Sequence, residues 1–191
     1  MNPNIRLLAL LVCLSPLLQS CIPLLIGAGL GAGVVVADDR RTSATVLEDQ
    51  TIEVKARNRI SEKYGDQTNA SVTSYNRFVL LTGQAPTEDM KKDVAVIVLE
   101  VPGVRNIQNE VVVGGASSMT SRASDTLLTS RVKGRLAQNK DVGASHVKVV
   151  SESSAVFLMG LVTRAEADAA ALTASTTSGA QRVVKVFEYL D

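Results

Sequence analysis

Two cysteines, one histidine, no tryptophan and 3% aromatic residues leave this chain of 191 residues poorly equipped for chemistry. Both cysteines, Cys13 and Cys21, lie in the first apolar run. The remainder therefore has no disulfide and no thiolate metal site. A Ser-His-Asp site would have to be built on His146, and no nucleophile-elbow motif accompanies it. A lone histidine before a strand is more often structural. With no paired acids and no cluster of metal ligands, we expect no catalytic residue, no metal and no cofactor. Scarce aromatics remove stacking platforms for single-stranded nucleic acid. A net charge of +1 gives no broad electrostatic footprint for nucleic acid either. At 46% hydrophobic and 20% charged, the chain is nonetheless of globular composition.

Charge is missing locally too. Leu7 to Ala37 contains no charged residue, with Cys21 near its middle and Gly27, Gly29, Gly31 and Gly33 behind it. A membrane span, a phosphate loop and a lipid-anchor signal compete for this run. Pro16, Pro23 and the alternating glycines weaken a spanning helix. The glycine run lacks the Lys-Ser/Thr of a phosphate loop and follows no strand. Leu7 to Leu18 has the length of a signal-peptide core and is short for a span. Leu18-Gln19-Ser20-Cys21 then resembles the bacterial lipobox: leucine at −3, a small residue at −1, and a cysteine whose thiol takes diacylglycerol. The resemblance implies cleavage before Cys21 and acylation of it. Ile22, in place of aspartate, implies export to the outer membrane, usually its periplasmic face. Such acyl chains anchor at about 0.8 kcal/mol per buried methylene.

Behind the anchor lies an internal repeat. Ile52, Ala56 and Ile60 correspond to Leu128, Val132 and Leu136, each set lining one helical face. Phe78 to Gly83 parallels Val156 to Gly160 as a strand ending at glycine. Thr87 and Thr163 read as helix N-caps, with Thr163 and Glu166 as a capping box. Gly103 and Gly179 read as helix-ending residues. First strands are expected at Ala70 to Ser74 and His146 to Val150, last strands at Val104 to Val113 and Ala180 to Leu190. Each unit thus reads helix, strand, strand, helix, strand. Residues 1–20 form the signal, 21–45 the acylated apolar segment and tether, 46–113 the first unit, 114–124 a flexible linker and 125–191 the second unit. An 11-residue flexible linker, Gly114 to Ser124, reaches about 18 Å, so the units should touch or nearly touch.

This order, with Val156 to Val162 (VFLMGLV) and Val101 to Val111 (VPGVRNIQNEV), resembles the BON domain. Two such units behind a lipobox are similar to the dual-BON lipoproteins of the outer membrane. The implied fold is α+β: two tandem sandwiches, each a three-stranded mixed sheet covered by two helices. The implied function is non-enzymatic. It is recognition of anionic phospholipid by the first helix of the second domain, in the service of outer-membrane integrity and of the division site.

The residues can be held against that implication. With Ser124 to Asn139 as a helix and Leu128, Val132 and Leu136 inward, the outward face holds Leu127, Ser130, Arg131, Lys133, Gly134, Ala137 and Gln138. It offers two cations, no acid and one leucine, which suits headgroups and the acyl boundary. The equivalent helix of the first unit lacks a leucine at the corresponding position. An ordinary solvated face is the competing reading. Arg59 and Arg135 sit at the core edge and read as packed stems with snorkelling heads. A second functional reading is a protein adaptor for outer-membrane assembly or division proteins, with lipid as anchor only.

Overall fold

The computed structural model describes residues 39–191. Two copies of one α+β unit follow each other. The first runs α1 (Ser43–Tyr64), β1 (Ser71–Tyr75), β2 (Phe78–Thr82), β3 (Gln84–Ala85), α2 (Glu88–Leu99), β4 (Asn106–Asn109) and β5 (Val112–Val113). The second runs α3 (Met119–Leu136), β6 (Val147–Glu152), β7 (Ala155–Val162), α4 (Arg164–Ser175) and β8 (Arg182–Tyr189). In both, an antiparallel hairpin is followed by a helix and a strand returning parallel to the central one, in orders β1-β2-β4 and β6-β7-β8. The fold class expected from the sequence is the one observed.

Alternation sets the layers. Val79 and Leu81 of β2 point towards α1 and α2, as Val156, Leu158 and Val162 of β7 point towards α3 and α4. The other parity faces the opposite unit. Tyr75 and Leu80 pack with Ala155, Phe157, Met159 and Val186 in one shared core. The two sheets therefore lie back to back, with the helices outside, α1 and α2 on one side and α3 and α4 on the other. Polar contacts rim this interface: Lys148 Nζ to Glu53 at 3.0 Å, Gln84 Nε2 to Glu152 at 2.6 Å, and Arg182 to Glu110 at 3.0 Å.

Both hairpins turn on two residues of positive φ, Asn76-Arg77 and Ser153-Ser154, the signature of a tight type I′ turn. None of the four is glycine. A buried helix carboxylate holds each turn instead. Asp49 of α1 accepts from the backbone N–H groups of Asn76 (2.8 Å) and Arg77 (2.7 Å), and from the Ser74 hydroxyl (2.6 Å). Asp125 of α3 accepts from Ser153 (2.8 Å) and Ser154 (2.9 Å). At 3% and 6% exposure, both aspartates belong to the core.

Several expectations need correction. The helix placed at Ser124 to Asn139 begins at Met119, because the Ser118 side chain accepts from Ser121 N at 3.1 Å and starts it. It ends at Leu136, so half of the stretch read as linker is helix. The segment read as tether is also partly structured. Thr42 caps α1, Arg40 pairs with Glu166, and Arg41 pairs with Asp39 and Asp49 and lies 3.9 Å over the Tyr75 ring. Gly103 and Gly179 do not end helices. Each occupies the third position of a turn closed by Val104 N to Val101 O or Ala180 N to Thr177 O, where φ is +96° or +100°. β7 does not stop at Gly160. Glycine is required there because a Cβ would come 2.3 Å from the His146 carbonyl oxygen. The single last strand expected in the first unit is broken into β4 and β5.

Candidate lipid-facing site

The surface singled out by the sequence belongs to α3. Its inward ridge is Asp125, Leu128, Val132 and Leu136, all buried. Since Asp125 is the helix's single acid and is turned inward to clamp the Ser153-Ser154 turn, the outward surface keeps Arg122, Arg131, Lys133 and Arg135 without an opposing carboxylate from the same helix. Leu127 is 57% exposed.

At 100° per residue, Leu127, Ser130, Gly134 and Gln138 share the outermost strip, with Arg131 on the flank towards α4 and Lys133 on the opposite flank. Gly134 lies in that strip, and Ala137, which caps α3, and Gln138 follow it; all seven expected residues are exposed. The strip is less polar than its residue types suggest. Thr126 and Ser130 donate their hydroxyls to the carbonyls of Arg122 (2.9 Å) and Thr126 (3.0 Å), a common way for helical Ser and Thr to satisfy themselves internally. A Cβ on Gly134 would meet nothing within 4 Å, so packing does not explain this glycine. Cys21, the expected acylation site, lies outside the described residues.

Arg135 corrects another expectation. Its head does not simply snorkel to water. Nη1 donates to Thr173 O (3.0 Å) and Thr177 Oγ1 (2.9 Å), satisfying groups at the end of α4. Arg131 Nη1 approaches Ser178 O at 3.5 Å. Neither bond was legible from the sequence, which does not say how α4 lies against α3.

His146 sits with Glu166, whose Oε1 is 3.3 Å from Nδ1. Glu166 also receives both terminal nitrogens of Arg40 at 2.8 Å and the Thr163 N–H at 2.8 Å. Arg40 first, with Thr163 and His146, draws its carboxyl down to about 2 against the opposing effect of burial. This cluster joins the start of the folded part to the second unit, a structural role. A polar cleft of about 300 Å³ between the units is lined by Arg41, Asp49, Glu53 and Lys148, but these charges are spent on one another through Arg41–Asp49 and Lys148–Glu53. Among the described residues there is no cluster of metal ligands, and no helix is long and apolar enough to cross a membrane.

The outer face of α1 is chemically different. It exposes Leu47 and Val54, but also Glu48 and Glu62. An acid-free cationic helix face is thus a property of the second unit.

Comparison with known proteins gives the same division. The BON domain model matches residues 48–115 and 124–191. The chain is 38% identical over 189 residues to the "Outer membrane lipoprotein DolP" of Haemophilus influenzae, covering 98% of this chain and 97% of that protein. It is 32% identical to the "21 kDa hemolysin" of Actinobacillus pleuropneumoniae, over 80% of this chain and 79% of the relative. Against the "Osmotically-inducible protein Y" of Escherichia coli it is 26% identical, over 80% and 78%.

Proposed function

On the premise that the chain belongs to the BON domain family, we propose that it is an outer-membrane lipoprotein, anchored through Cys21 and facing the periplasm, whose α3 recognises anionic phospholipid. Through that contact it helps maintain the outer-membrane barrier, including at the division site. The observation that carries the lipid contact is the inward Asp125, which leaves Arg131, Lys133 and Arg135 on α3 with Leu127 beside them. Each cation near an anionic surface contributes about 1 kcal/mol. The sum is modest for a free protein, but an anchored domain is held at high effective concentration. Leucine then enters the headgroup–acyl boundary.

The adaptor reading also has a specific support. Val112 and Val113, 54% and 45% exposed, form a short strand paired with β3, and such edges accept partner strands. Cells lacking the protein and supplied with the Leu127→Glu Arg131→Glu double variant separate the two. The lipid reading expects their outer membrane to be as permeable as without the protein, although the variant is folded and reaches the membrane. A barrier restored to normal, together with its loss when Val112 and Val113 are both changed to Lys, gives the function to the edge instead.

A further inference from the structure

Besides Leu127, the helical layer of the second unit exposes two large apolar residues, Met119 (86%) at the first position of α3 and Leu172 on α4. Leu172 of α4 is 65% exposed, more than Leu127. Ala167, Ala170 and Ala174 turn inward, so Leu172 projects about 200° around the helix from Ala170. Four hydrogen bonds fix how the helices run. Arg131 reaches Ser178, Arg135 reaches Thr173 and Thr177, and Asn139 reaches the Thr173 hydroxyl. Residue numbers rise on α3 as they fall on α4, so the helices are antiparallel. Leu172 therefore lies near the level of Asn139, about 15–18 Å along the axis from Leu127. Both leucines point outward, and Arg131 and Arg135 lie on the flank of α3 that faces α4. Arg135 uses one of its nitrogens on α4, and a guanidinium has five N–H donors. The acids of α4 are engaged elsewhere: Asp168 with Lys185 at 2.6 Å, Glu166 with Arg40. Asp141, beyond Asn139, is exposed next to Lys140.

We propose that the lipid-facing surface of the second unit spans both of its helices, with Leu172 as a second insertion point matched to Leu127 and the two arginines between them taking anionic headgroups. The inference rests on the lipid reading of α3. A single leucine would let α3 tip about its contact. Two leucines separated along the helix pair, bracketing the cations, make the pair lie flat on the surface. That fixes which face of the back-to-back sheets meets the membrane and turns α1 and α2 away from it.

Depth-dependent quenching tests this on the full chain in nanodiscs. A bimane fluorophore is placed at Leu127→Cys, Leu172→Cys or Val96→Cys, the last on α2, with the chain lacking an added cysteine as the labelling blank. The discs contain doxyl lipid and either phosphatidylglycerol or phosphatidylcholine. Quenching at positions 127 and 172 by about twofold in phosphatidylglycerol, with little at 96, is expected. Quenching at 127 without 172 overturns the two-helix surface and leaves the α3 contact standing. No quenching at either position overturns both. Equal quenching in phosphatidylcholine overturns the role of the arginines.

Discussion

The carboxylate of Asp125 accepts the backbone N–H of Ser153 at 2.8 Å and that of Ser154 at 2.9 Å, tying the start of α3 to the hairpin between β6 and β7. The same device, Asp49 with Asn76 and Arg77, occurs in the first unit. It lets serines and an arginine occupy a left-handed turn that glycine or asparagine would otherwise favour. It also removes the last acid from the surface of α3. Asp125→Ala should cost about 2–3 kcal/mol, since two part-buried turn N–H groups lose a charged acceptor. Urea unfolding of the variant checks this, and an unchanged midpoint would show that the clamp is dispensable.

Glu166 makes stability depend on acid. Its carboxyl is held at about 2, below its usual 4.5. A lowered folded value means the contribution is complete above pH 4.5 and drains away as pH falls towards 2. After solvent screening it is on the order of 1–2 kcal/mol. The stability gap between the native chain and Glu166→Gln should therefore narrow between pH 5 and 3. A gap that stays constant over that range would show that the charge of Glu166 contributes nothing.

Phe157 is the largest fully buried side chain of the core shared by the two units. Phe157→Ala should cost about 3–5 kcal/mol. Because the lost contacts are those between units, it should also split unfolding into two transitions. Hydrogen exchange resolved by peptide reads this directly. One concerted transition in the variant would mean that the rim contacts alone couple the units.

The anchor has its own test. The mass of the mature protein from membranes should correspond to a chain starting at an acylated Cys21. A chain still carrying Met1 would return the apolar run to the spanning reading.

Much of this was legible in the sequence, and what was not has physical causes. The apolar periodicity of Ile52, Ala56 and Ile60, repeated in Leu128, Val132 and Leu136, disclosed both long helices and their inward faces. The capping box at Thr163 and Glu166 marked the start of α4 correctly. The first turns of α1 and α3 went unseen because they precede the apolar ridge, and a cap such as Ser118 is not conspicuous among neighbouring serines. The back-to-back sheets left a trace in VFLMGLV, where β7 is apolar at both parities, as a strand buried on both faces must be. The clamping aspartates left a fainter one: Asp49 and Asp125 stand three residues before Ile52 and Leu128, at matching places in the repeat. A carboxylate on a helix reads as solvated, and the turn that holds it inward is distant in sequence. The exposed positions on the outer face of α3 could be read from periodicity. The bonds of Arg135 and the outward Leu172 required knowing how α4 lies against α3.

The most direct test of the lipid-facing helix is NMR of the isotope-labelled full chain titrated with phosphatidylglycerol or phosphatidylcholine in mixed micelles. Backbone amides from Leu127 to Gln138 should shift with phosphatidylglycerol, remain in place with phosphatidylcholine, and lose their response in the Arg131→Glu Lys133→Glu variant. Equal shifts with both lipids, or shifts confined to the first unit, would contradict the account.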